Sequence, residues 1–348
     1  MRDFSGLFQQ HGIYLNTATF GLPPKPAYDA MIAALSDWRT GRTGEFDWEE
    51  DTERARASFG RLVNVAPENI AVGATVSELL GLVAASLPDG SKVLTAENDF
   101  ASTLTPFAVH QRRGVTIQTS PLAELAAALT SDVTMVVVSH VQAQSGEVVD
   151  IGALLEAAKQ TGTLVCIDGT QACGWLPTDA SRVDFYACHA YKWLLAPRGA
   201  AFLTVRPERL KSIVPLHGGW FSTDDPNNNL FGLGDRLSSV ARRLDTSPAW
   251  FSWVGAARSL AIMEQIGVDR IHEHDMRLAT RFTDALGLPL PVSPIVYLEA
   301  HDAFERLMRA GIRASVRGGR MRASFHLYNT EADVDAAVEA IAADEALA

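Results

Sequence analysis

The chain has 348 residues, of which 47% are hydrophobic, so it can bury a full-sized core and is too long for one minimal domain. Its formal net charge is -11, and its 30 Lys and Arg residues do not gather in basic runs, which argues against nucleic acid as a partner. No apolar stretch approaches the roughly 20 residues that a membrane span needs, and the N-terminus lacks the apolar core of a signal peptide. We therefore expect a soluble, cytoplasmic protein that has no membrane partner.

From residue 27 to about 205, short apolar runs alternate with segments of helical periodicity, which predicts a mostly parallel sheet with helices on both faces. Seven strands are predicted, at residues 69–73, 92–96, 115–119, 134–141, 163–168, 184–190 and 200–205. Alanine-rich helices are expected between most of them, for example at residues 77–87, 122–130 and 151–162. The sequence thus predicts an α/β large domain built on a seven-stranded sheet.

The chain changes character after this region. A loop rich in Gly, Asn and Asp occupies residues 217–235, and long helices are predicted over roughly 250–286. From Pro291 onward the pattern predicts strand, helix, strand and helix, at residues 294–300, 303–311, 320–326 and 331–343. We therefore expect a large domain over 27–288 and a small C-terminal α+β domain over 289–348.

Polar residues that follow the predicted strands carry the candidate chemistry. Asp168 ends one strand, Gln171 lies three residues later, and Lys192 follows the next strand. In open α/β sheets, ligands bind beyond the carboxyl ends of the strands, so these residues can meet in one pocket. A lysine can form a Schiff base with an aldehyde, and a buried carboxylate can keep a pyridine nitrogen protonated. These residue types predict a site for pyridoxal 5'-phosphate (PLP).

The phosphate of this cofactor also has a candidate partner. Gly73, Ala74 and Thr75 lie between a predicted strand and a predicted helix, where backbone N–H groups and a hydroxyl can receive a dianion. A nicotinamide enzyme on a Rossmann sheet is the alternative for an α/β chain of this kind. The sequence lacks the Gly-x-Gly-x-x-Gly turn that such an enzyme carries after its first strand, so we set that alternative aside.

The order and spacing of these residues resemble the aminotransferase class V family of fold-type I PLP-dependent enzymes. The resemblance runs from YLNTATFG (14–21) to RASFHLYNTEADVD (322–335). Cysteine desulfurases, kynureninase, isopenicillin N epimerase-like proteins and ergothioneine-type carbon-sulfur lyases belong to that family. The resemblance implies a fold-type I architecture, an amino-acid substrate and a homodimer with shared active sites. It also implies that an N-terminal segment, residues 1–26, folds over the active site.

The same resemblance implies roles for individual residues. Phe100 matches the aromatic residue that stacks on the pyridine ring, and Asp168 would pair with the ring nitrogen. The remaining cofactor contacts would come from Ala74 and Thr75 at the phosphate, His189 and Tyr191 beside it, and Gln142 and Gln171 near the phenolic oxygen. In the substrate site, Arg322 would hold the α-carboxylate, while Asn16 would lie over the pocket. Ser247, in the Thr-Ser-Pro turn 246–248, takes the place of a hydroxyl that reaches the neighbouring subunit's phosphate.

The reaction is less constrained than the cofactor. Cysteine desulfurases need a thiol on a mobile loop shortly before the arginine strand, and residues 311–324 contain no cysteine. The three cysteines, Cys166, Cys173 and Cys188, lie in the sheet region, and we expect them to be reduced and to bind no metal. Carbon-sulfur β-elimination is therefore ranked first, because no second carboxylate-binding arginine is obvious, although Arg317 and Arg320 could bind a second anionic group. Transamination, epimerisation at the α-carbon and a non-catalytic PLP-binding or interaction protein are the alternatives.

Overall fold

The computed structural model describes residues 4–43, 48–232, 237–299 and 302–343. Several predicted segments extend beyond these ranges: residues 1–3, 233–235, 300 and 344–348 lie outside the described part of the chain. Seven strands form the central sheet. They are β1 (Ile70–Gly73), β2 (Lys92–Ala96), β3 (Thr116–Ser120), β4 (Met135–Ser139), β5 (Leu164–Asp168), β6 (Phe185–His189) and β7 (Ala201–Val205). The predicted seven-stranded sheet is confirmed, with each strand within two residues of its expected bounds.

The strand order across this sheet is β1-β7-β6-β5-β4-β2-β3. Strands β2 to β6 pair in parallel, whereas β7 is antiparallel to both β6 and β1. Every residue of β4, β6 and β7 is buried, as expected for strands covered by helices on both faces. The carboxyl ends of β5 and β6 are neighbours, which brings the residues after them to one edge of the sheet.

Helices surround the sheet and connect it to the rest of the chain. They are α1 (Lys25–Thr40), α2 (Glu49–Val63), α3 (Val76–Ala85), α4 (Ala101–Ala108), α5 (Ile151–Thr161), α6 (Pro207–Leu210), α7 (Trp250–Ile266), α8 (Val268–Ala285), α9 (Ala303–Arg309) and α10 (Glu331–Ala342). The long helices expected over 250–286 are α7 and α8, which meet at Gly267, where φ is 89°. A residue with a side chain rarely adopts this φ, so the glycine permits the change in helix direction.

The helix predicted at residues 122–130 is wrong. A 3₁₀ turn (Leu122–Glu124) followed by irregular turns occupies this segment. Alanine-rich composition favours a helix, but the segment is short and Pro121, at the position of its N-cap, supplies no capping side chain. A short helix without a cap is marginal even in an alanine-rich sequence.

The C-terminal part contains a three-stranded antiparallel sheet ordered β8-β10-β9. Strands β8 (Ile295–Leu298) and β10 (Arg320–Ser324) were predicted, whereas β9 (Ser315–Arg317) was not. Gly318 and Gly319, both at positive φ, form the two-residue turn between β9 and β10. Paired glycines between short strands are a known hairpin signal, so the sequence did contain the information for β9.

The N-terminal segment joins this small sheet rather than the large one. Tyr14 and Asn16 form parallel bridges with Arg313 and Ser324. Gly21 then donates its backbone N–H to the carbonyl of Tyr191 at 2.9 Å. The segment therefore connects the small sheet to the loop that carries Lys192. The division of the chain at residues 26 and 288 stays a prediction.

The three cysteines, all in described parts of the chain, are buried and have free thiols. Within the described ranges, no group of three or more His, Cys, Asp or Glu residues is arranged to hold a metal ion. None of the helices in the same ranges combines the length and apolar character needed to cross a membrane.

Candidate active site

Lys192 lies in the loop that follows β6, and it is only 4% exposed. Its Nζ atom lies 5.2 Å from the centroid of the Phe100 ring. Burial lowers the pKa of the amine to about 8, and the negative charge of Asp168 opposes this effect. A lysine with this pKa is largely neutral a little above pH 8, so its nitrogen can serve as a nucleophile or as a base.

Phe100 lies immediately before α4 and is 44% exposed, so one part of its ring is open to solvent. The unpredicted Asp99 fixes its backbone, because the buried carboxylate accepts hydrogen bonds from the N–H groups of Phe100 (2.6 Å) and Ser139 (2.8 Å). A half-exposed aromatic ring thus lies beside the buried Lys192 amine. A planar ligand ring can stack there.

Asp168 ends β5 and is buried, and its two carboxylate oxygens have separate donors. Oδ1 accepts from the backbone N–H of Thr170 at 2.9 Å, and Oδ2 accepts from the Thr103 hydroxyl at 2.8 Å. In the described ranges the carboxylate forms no salt bridge. A buried anion that is hydrogen-bonded but has no ion-pair partner is suited to a protonated pyridine nitrogen.

The turn from β1 to α3 contains Ala74 and Thr75, as predicted, but its backbone N–H groups are not free. Both donate to Oε2 of Glu78, at 2.8 Å from Ala74 and 3.3 Å from Thr75. The Thr75 hydroxyl accepts in turn from the Glu78 N–H, which completes a capping box. The Glu78 carboxylate occupies the position of an anion at the start of this helix. A phosphate at this turn therefore requires Glu78 to move aside.

His189 ends β6, and Tyr191 follows it on the loop that leads to Lys192. The Nε2 atom of His189 is buried and finds no hydrogen-bond partner among the described residues. Burial lowers the pKa of His189 to about 3, and the charges of Arg198 and Lys192 contribute, so the imidazole is neutral at pH 7. The unpredicted Arg198 packs its guanidinium 4.6 Å from the centroid of the Tyr191 ring. A buried, unpaired ring nitrogen beside a cation is suited to a phosphate oxygen.

Both predicted glutamines have hydrogen-bond partners within the chain. Gln171 donates from Nε2 to the carbonyl of Ala18 at 3.0 Å, and its Oε1 accepts from the indole N–H of Trp193 at 2.8 Å. Both ends of this amide are thus used to connect the N-terminal segment to the Lys192 loop. Gln142 donates to Asp99 at 3.3 Å. The proposed position of both amides near a phenolic oxygen stays a prediction.

Arg322 lies on β10, and it is only 2% exposed. Its guanidinium donates to the carbonyl of Ala143 (2.5 Å) and to the hydroxyl of Thr19 (2.8 Å), both neutral acceptors. No carboxylate pairs with it in the part of the chain that the structure describes. Burial and the charge of Arg317 lower its pKa to about 10. A buried guanidinium without an anion is suited to a substrate carboxylate.

Asn16 contributes to this arrangement indirectly. Its Oδ1 accepts the Thr19 hydroxyl proton at 2.6 Å, so the Thr19 oxygen presents its lone pairs to arginine. Thr19 is a site residue that sequence reasoning missed, although it lies within the segment YLNTATFG that carried the resemblance. A hydroxyl three residues after an asparagine is the signal that was available.

The two loop arginines have different surroundings. Arg317, on β9, donates to the Thr19 hydroxyl at 3.2 Å, so two guanidinium groups converge on this one oxygen. Its charge lowers the pKa of Lys192, which places it electrostatically at the site. Arg320 instead packs 4.2 Å from the centroid of the Tyr297 ring and pairs with a glutamate. Arg317 therefore belongs to the candidate site.

Ser247 is exposed, and its hydroxyl makes no hydrogen bond to other residues that the structure describes. The turn is nevertheless fixed, because Asp245 accepts from the Val72 N–H at 2.8 Å and from Arg56 at 2.6 Å. The structure thus brings Lys192, Asp168, Phe100, Tyr191 and Arg322 toward one centre. Ser247 lies at the surface, and its contact with a partner's phosphate stays a prediction.

These surroundings fit PLP on three observations: the half-exposed ring of Phe100 beside Lys192, the carboxylate of Asp168 without an ion-pair partner among the described residues, and the unpaired Nε2 of His189. Each polar end of the cofactor has a candidate partner. The amine of Lys192 would join its aldehyde, Asp168 would hold its ring nitrogen, and His189 would lie near its phosphate.

Comparison with known proteins agrees with this fit. The aminotransferase class-V family model matches residues 13–292. The chain is 28% identical to an uncharacterized aminotransferase, YcbU, of Bacillus subtilis, over 91% of this chain and 88% of the relative. It is 26% identical to isopenicillin N epimerase of Streptomyces clavuligerus, over 94% of each chain. Its fold matches the cystine C-S lyase C-DES with a TM-score of 0.87, at 19% identity, over 98% of this chain and 99% of that chain.

The likeness to C-DES, at this level of identity, supports the fold alone. The family match is broader, because its residues include the phosphate turn, Phe100, Asp168 and Lys192. This chain therefore belongs to the aminotransferase class-V family and is a PLP-dependent enzyme that acts on an amino acid.

Proposed function

We propose that this enzyme is a carbon-sulfur lyase that cleaves a cysteine-derived amino acid by β-elimination. One observation carries the proposal: the Lys192 amine is buried beside the half-exposed ring of Phe100, 5.2 Å from its centroid, and burial lowers the amine's pKa to about 8. Lys192 is thus the base at this centre.

When bound, PLP supplies an electron-withdrawing ring that weakens the bonds to the substrate's α-carbon. Arg322 would hold the α-carboxylate, and Lys192 would take the α-proton onto Nζ. The Cα–H and Cβ–S bonds break, and Nζ can return its proton to the departing sulfur. Overall, a cysteine conjugate and water give a thiol, pyruvate and ammonia.

This reaction needs one base only, and Lys192 can supply it. A thiol has a pKa of about 8.5, so its sulfur leaves without a strong acid. Epimerisation by two bases instead needs a second group on the opposite side of the α-carbon, and Asp168 is already held by Thr103 and Thr170. The contrast favours elimination over epimerisation.

A persulfide-forming desulfurase is not proposed. Residues 311–324 are described in full, and Gly318 and Gly319 close them into a tight hairpin. The three cysteines are buried in the large domain, and burial raises the pKa of Cys166 and Cys188 above the ordinary thiol value. Thiols with raised pKa values are poor nucleophiles at neutral pH.

An aminotransferase is the second candidate, and Arg317 favours it. Transamination also needs one base only, and substrates of aminotransferases often carry a second carboxylate. Arg317 lies beside Arg322, so a second arginine is available for such a carboxylate. The two reactions differ in their products, which makes them separable.

We further propose that the enzyme is a homodimer. Tyr28, Ile32, Leu35 and Trp38 are exposed apolar residues of α1, spaced by three or four residues and so on one face. Trp38 packs against Phe251 with ring centroids 5.5 Å apart, close to the Ser247 turn. A second copy of the chain that covers this face would bring Ser247 toward its partner.

The deciding experiment incubates the PLP-loaded enzyme with L-amino acids and cysteine S-conjugates and measures pyruvate, ammonia, keto acid and racemised product together. Equimolar pyruvate, ammonia and thiol from a conjugate would support the lyase. Keto acid that appears only with an added amino acceptor would establish the aminotransferase instead, and racemised substrate without pyruvate would establish an epimerase. Lys192→Ala is the control for uncatalysed breakdown.

A further inference from the structure

The hydroxyl of Thr19 accepts hydrogen bonds from two guanidinium groups, Arg322 at 2.8 Å and Arg317 at 3.2 Å. The same hydroxyl donates its proton to Oδ1 of Asn16. The oxygen therefore acts as a neutral acceptor shared by two cations. Neither guanidinium has a carboxylate partner within the described ranges, although the chain as a whole carries 41 acidic residues.

Two unpaired cations at this separation repel each other. Their repulsion contributes to the low pKa of Arg322 of about 10. One bound α-carboxylate can satisfy the fork of Arg322 but leaves Arg317 with Thr19 and its own strand's Val316 carbonyl. A second anionic group would relieve the remaining charge.

The two arginines also differ in their environment. Arg322 is buried under the N-terminal segment, as expected for a group that binds the constant part of every substrate. Arg317 is exposed at the edge of β9, where a side chain that extends from the substrate can reach it. Gly319 leaves space beside it, since a Cβ there would meet no atom within 4 Å, whereas a Cβ on Gly318 would lie 3.3 Å from Oε1 of Gln144.

We propose that Arg317 binds a second carboxylate, on the substrate's side chain, so that the enzyme selects amino acids with an anionic side chain. This inference names the substrate class of the proposed function and so rests on it. For a lyase the class is a cysteine S-conjugate that ends in a carboxylate, and for an aminotransferase it is an acidic amino acid.

The test uses isosteric pairs that differ only in charge: L-glutamate against L-glutamine, and S-carboxymethyl-L-cysteine against S-carbamoylmethyl-L-cysteine. Apparent Kd values come from the change in cofactor absorbance on titrating the PLP-loaded enzyme. We expect the acid of each pair to bind about ten- to a hundredfold more tightly than its amide, since one charge-assisted hydrogen bond is gained.

Arg317→Gln should reduce this acid-to-amide preference to nearly one. The matched control is Arg320→Gln, on the same hairpin but paired with Glu299, and it should keep the preference. Equal affinity for acid and amide in the parent enzyme would overturn the inference. So would an Arg317→Gln variant that weakens both members of a pair equally, because Arg317 would then serve the α-carboxylate.

Failure of the proposed function gives a different result. If no conjugate yields pyruvate while L-glutamate still binds in preference to L-glutamine, the anionic subsite stands and the lyase does not. If both conjugates yield pyruvate with equal kcat/KM, and both pairs bind with equal affinity, the lyase stands and the subsite does not.

Discussion

The indole N–H of Trp193 donates to the side-chain oxygen of Gln171 at 2.8 Å, and the amide of Gln171 donates onward to the carbonyl of Ala18. Trp193 is the residue after Lys192, so this pair connects the lysine loop to the turn after β5 and to the N-terminal segment. All of these atoms are buried. The position of Lys192 therefore depends on Gln171 even without a direct contact.

Gln171→Met should destabilise the protein, because it leaves the Trp193 N–H and the Ala18 carbonyl buried and unpaired. Each unpaired group costs about 1 to 3 kcal/mol, which should appear as a lower apparent Tm by differential scanning fluorimetry. Trp193→Phe removes one of the two bonds and also opens a cavity at a fully buried indole, so its Tm should decrease as well. If Gln171→Met left Tm unchanged but shifted the cofactor absorbance, its amide would instead lie at the cofactor's phenolic oxygen.

Lys192→Ala should lose nearly all turnover, because it removes both the amine that joins the cofactor and the proposed base. Borohydride treatment of the parent enzyme followed by peptide mass spectrometry should locate the reduced cofactor on Lys192. Lys211→Ala is the matched control and should keep activity and label. A label on any residue other than Lys192 would contradict the central assignment.

Asp168→Ala should still bind PLP but turn over about a hundredfold or more slowly, since removing one member of a buried ion pair typically costs about 3 to 5 kcal/mol. Asp168→Glu should keep part of the activity. Thr103→Val, which removes a hydroxyl donor to the carboxylate, should have a smaller effect than Asp168→Ala. Steady-state kcat measures turnover, and cofactor retention on gel filtration measures PLP binding. Parent-like turnover in Asp168→Ala would exclude the ring-nitrogen role.

The rate of loading the apoenzyme with PLP should depend on pH through Lys192. Burial lowers the pKa of this amine to about 8, and only the neutral form can attack an aldehyde, so the rate should rise as pH increases through about 8. Arg317→Gln removes a nearby positive charge and should move the midpoint to higher pH. Stopped-flow absorbance measures the rate, with Arg320→Gln as control. An unshifted midpoint in Arg317→Gln would show that the charge of Arg317 does not lower the pKa of Lys192.

Ser247→Ala should weaken PLP binding about ten- to a hundredfold without altering the fold, if the hydroxyl donates to the partner's phosphate. Trp38→Glu should dissociate the dimer and weaken PLP binding in the same way. Leu290→Glu is the control, because it places the same charge on an exposed apolar residue outside α1 and should leave the dimer intact. Light scattering gives the oligomeric state. A monomer with full activity would rule out a shared site.

Sequence reasoning succeeded where one local signal sufficed. The seven strands of the large sheet are short apolar runs between helical segments, Asp168 is the last residue of one strand, and Lys192 lies three residues after the next. Phe100 was identified by resemblance, and the structure places its ring beside Lys192. These features depend on a strand and the few residues after it.

The remaining features depend on residues distant in sequence. The amide of Gln171 is used by Ala18 and Trp193, and Glu78 occupies the turn expected to receive a phosphate. Arg317 reaches Thr19 only because Gly318 and Gly319 fold β9 back onto β10. No periodicity in the chain encodes such partners, so the structure was needed to find them.

The bond between Arg322 and Thr19 joins residues that are 303 positions apart in the chain. Thr75, Phe100, Asp168, His189 and Lys192 all precede residue 206, so a ribosome has made these candidate cofactor contacts when β7 is complete. By then Gly21 of the N-terminal segment has its partner Tyr191, but Tyr14 and Asn16 must wait for Arg313 and Ser324. During synthesis, therefore, the nascent chain gains the means to hold its cofactor well before it gains the means to recognise an amino acid.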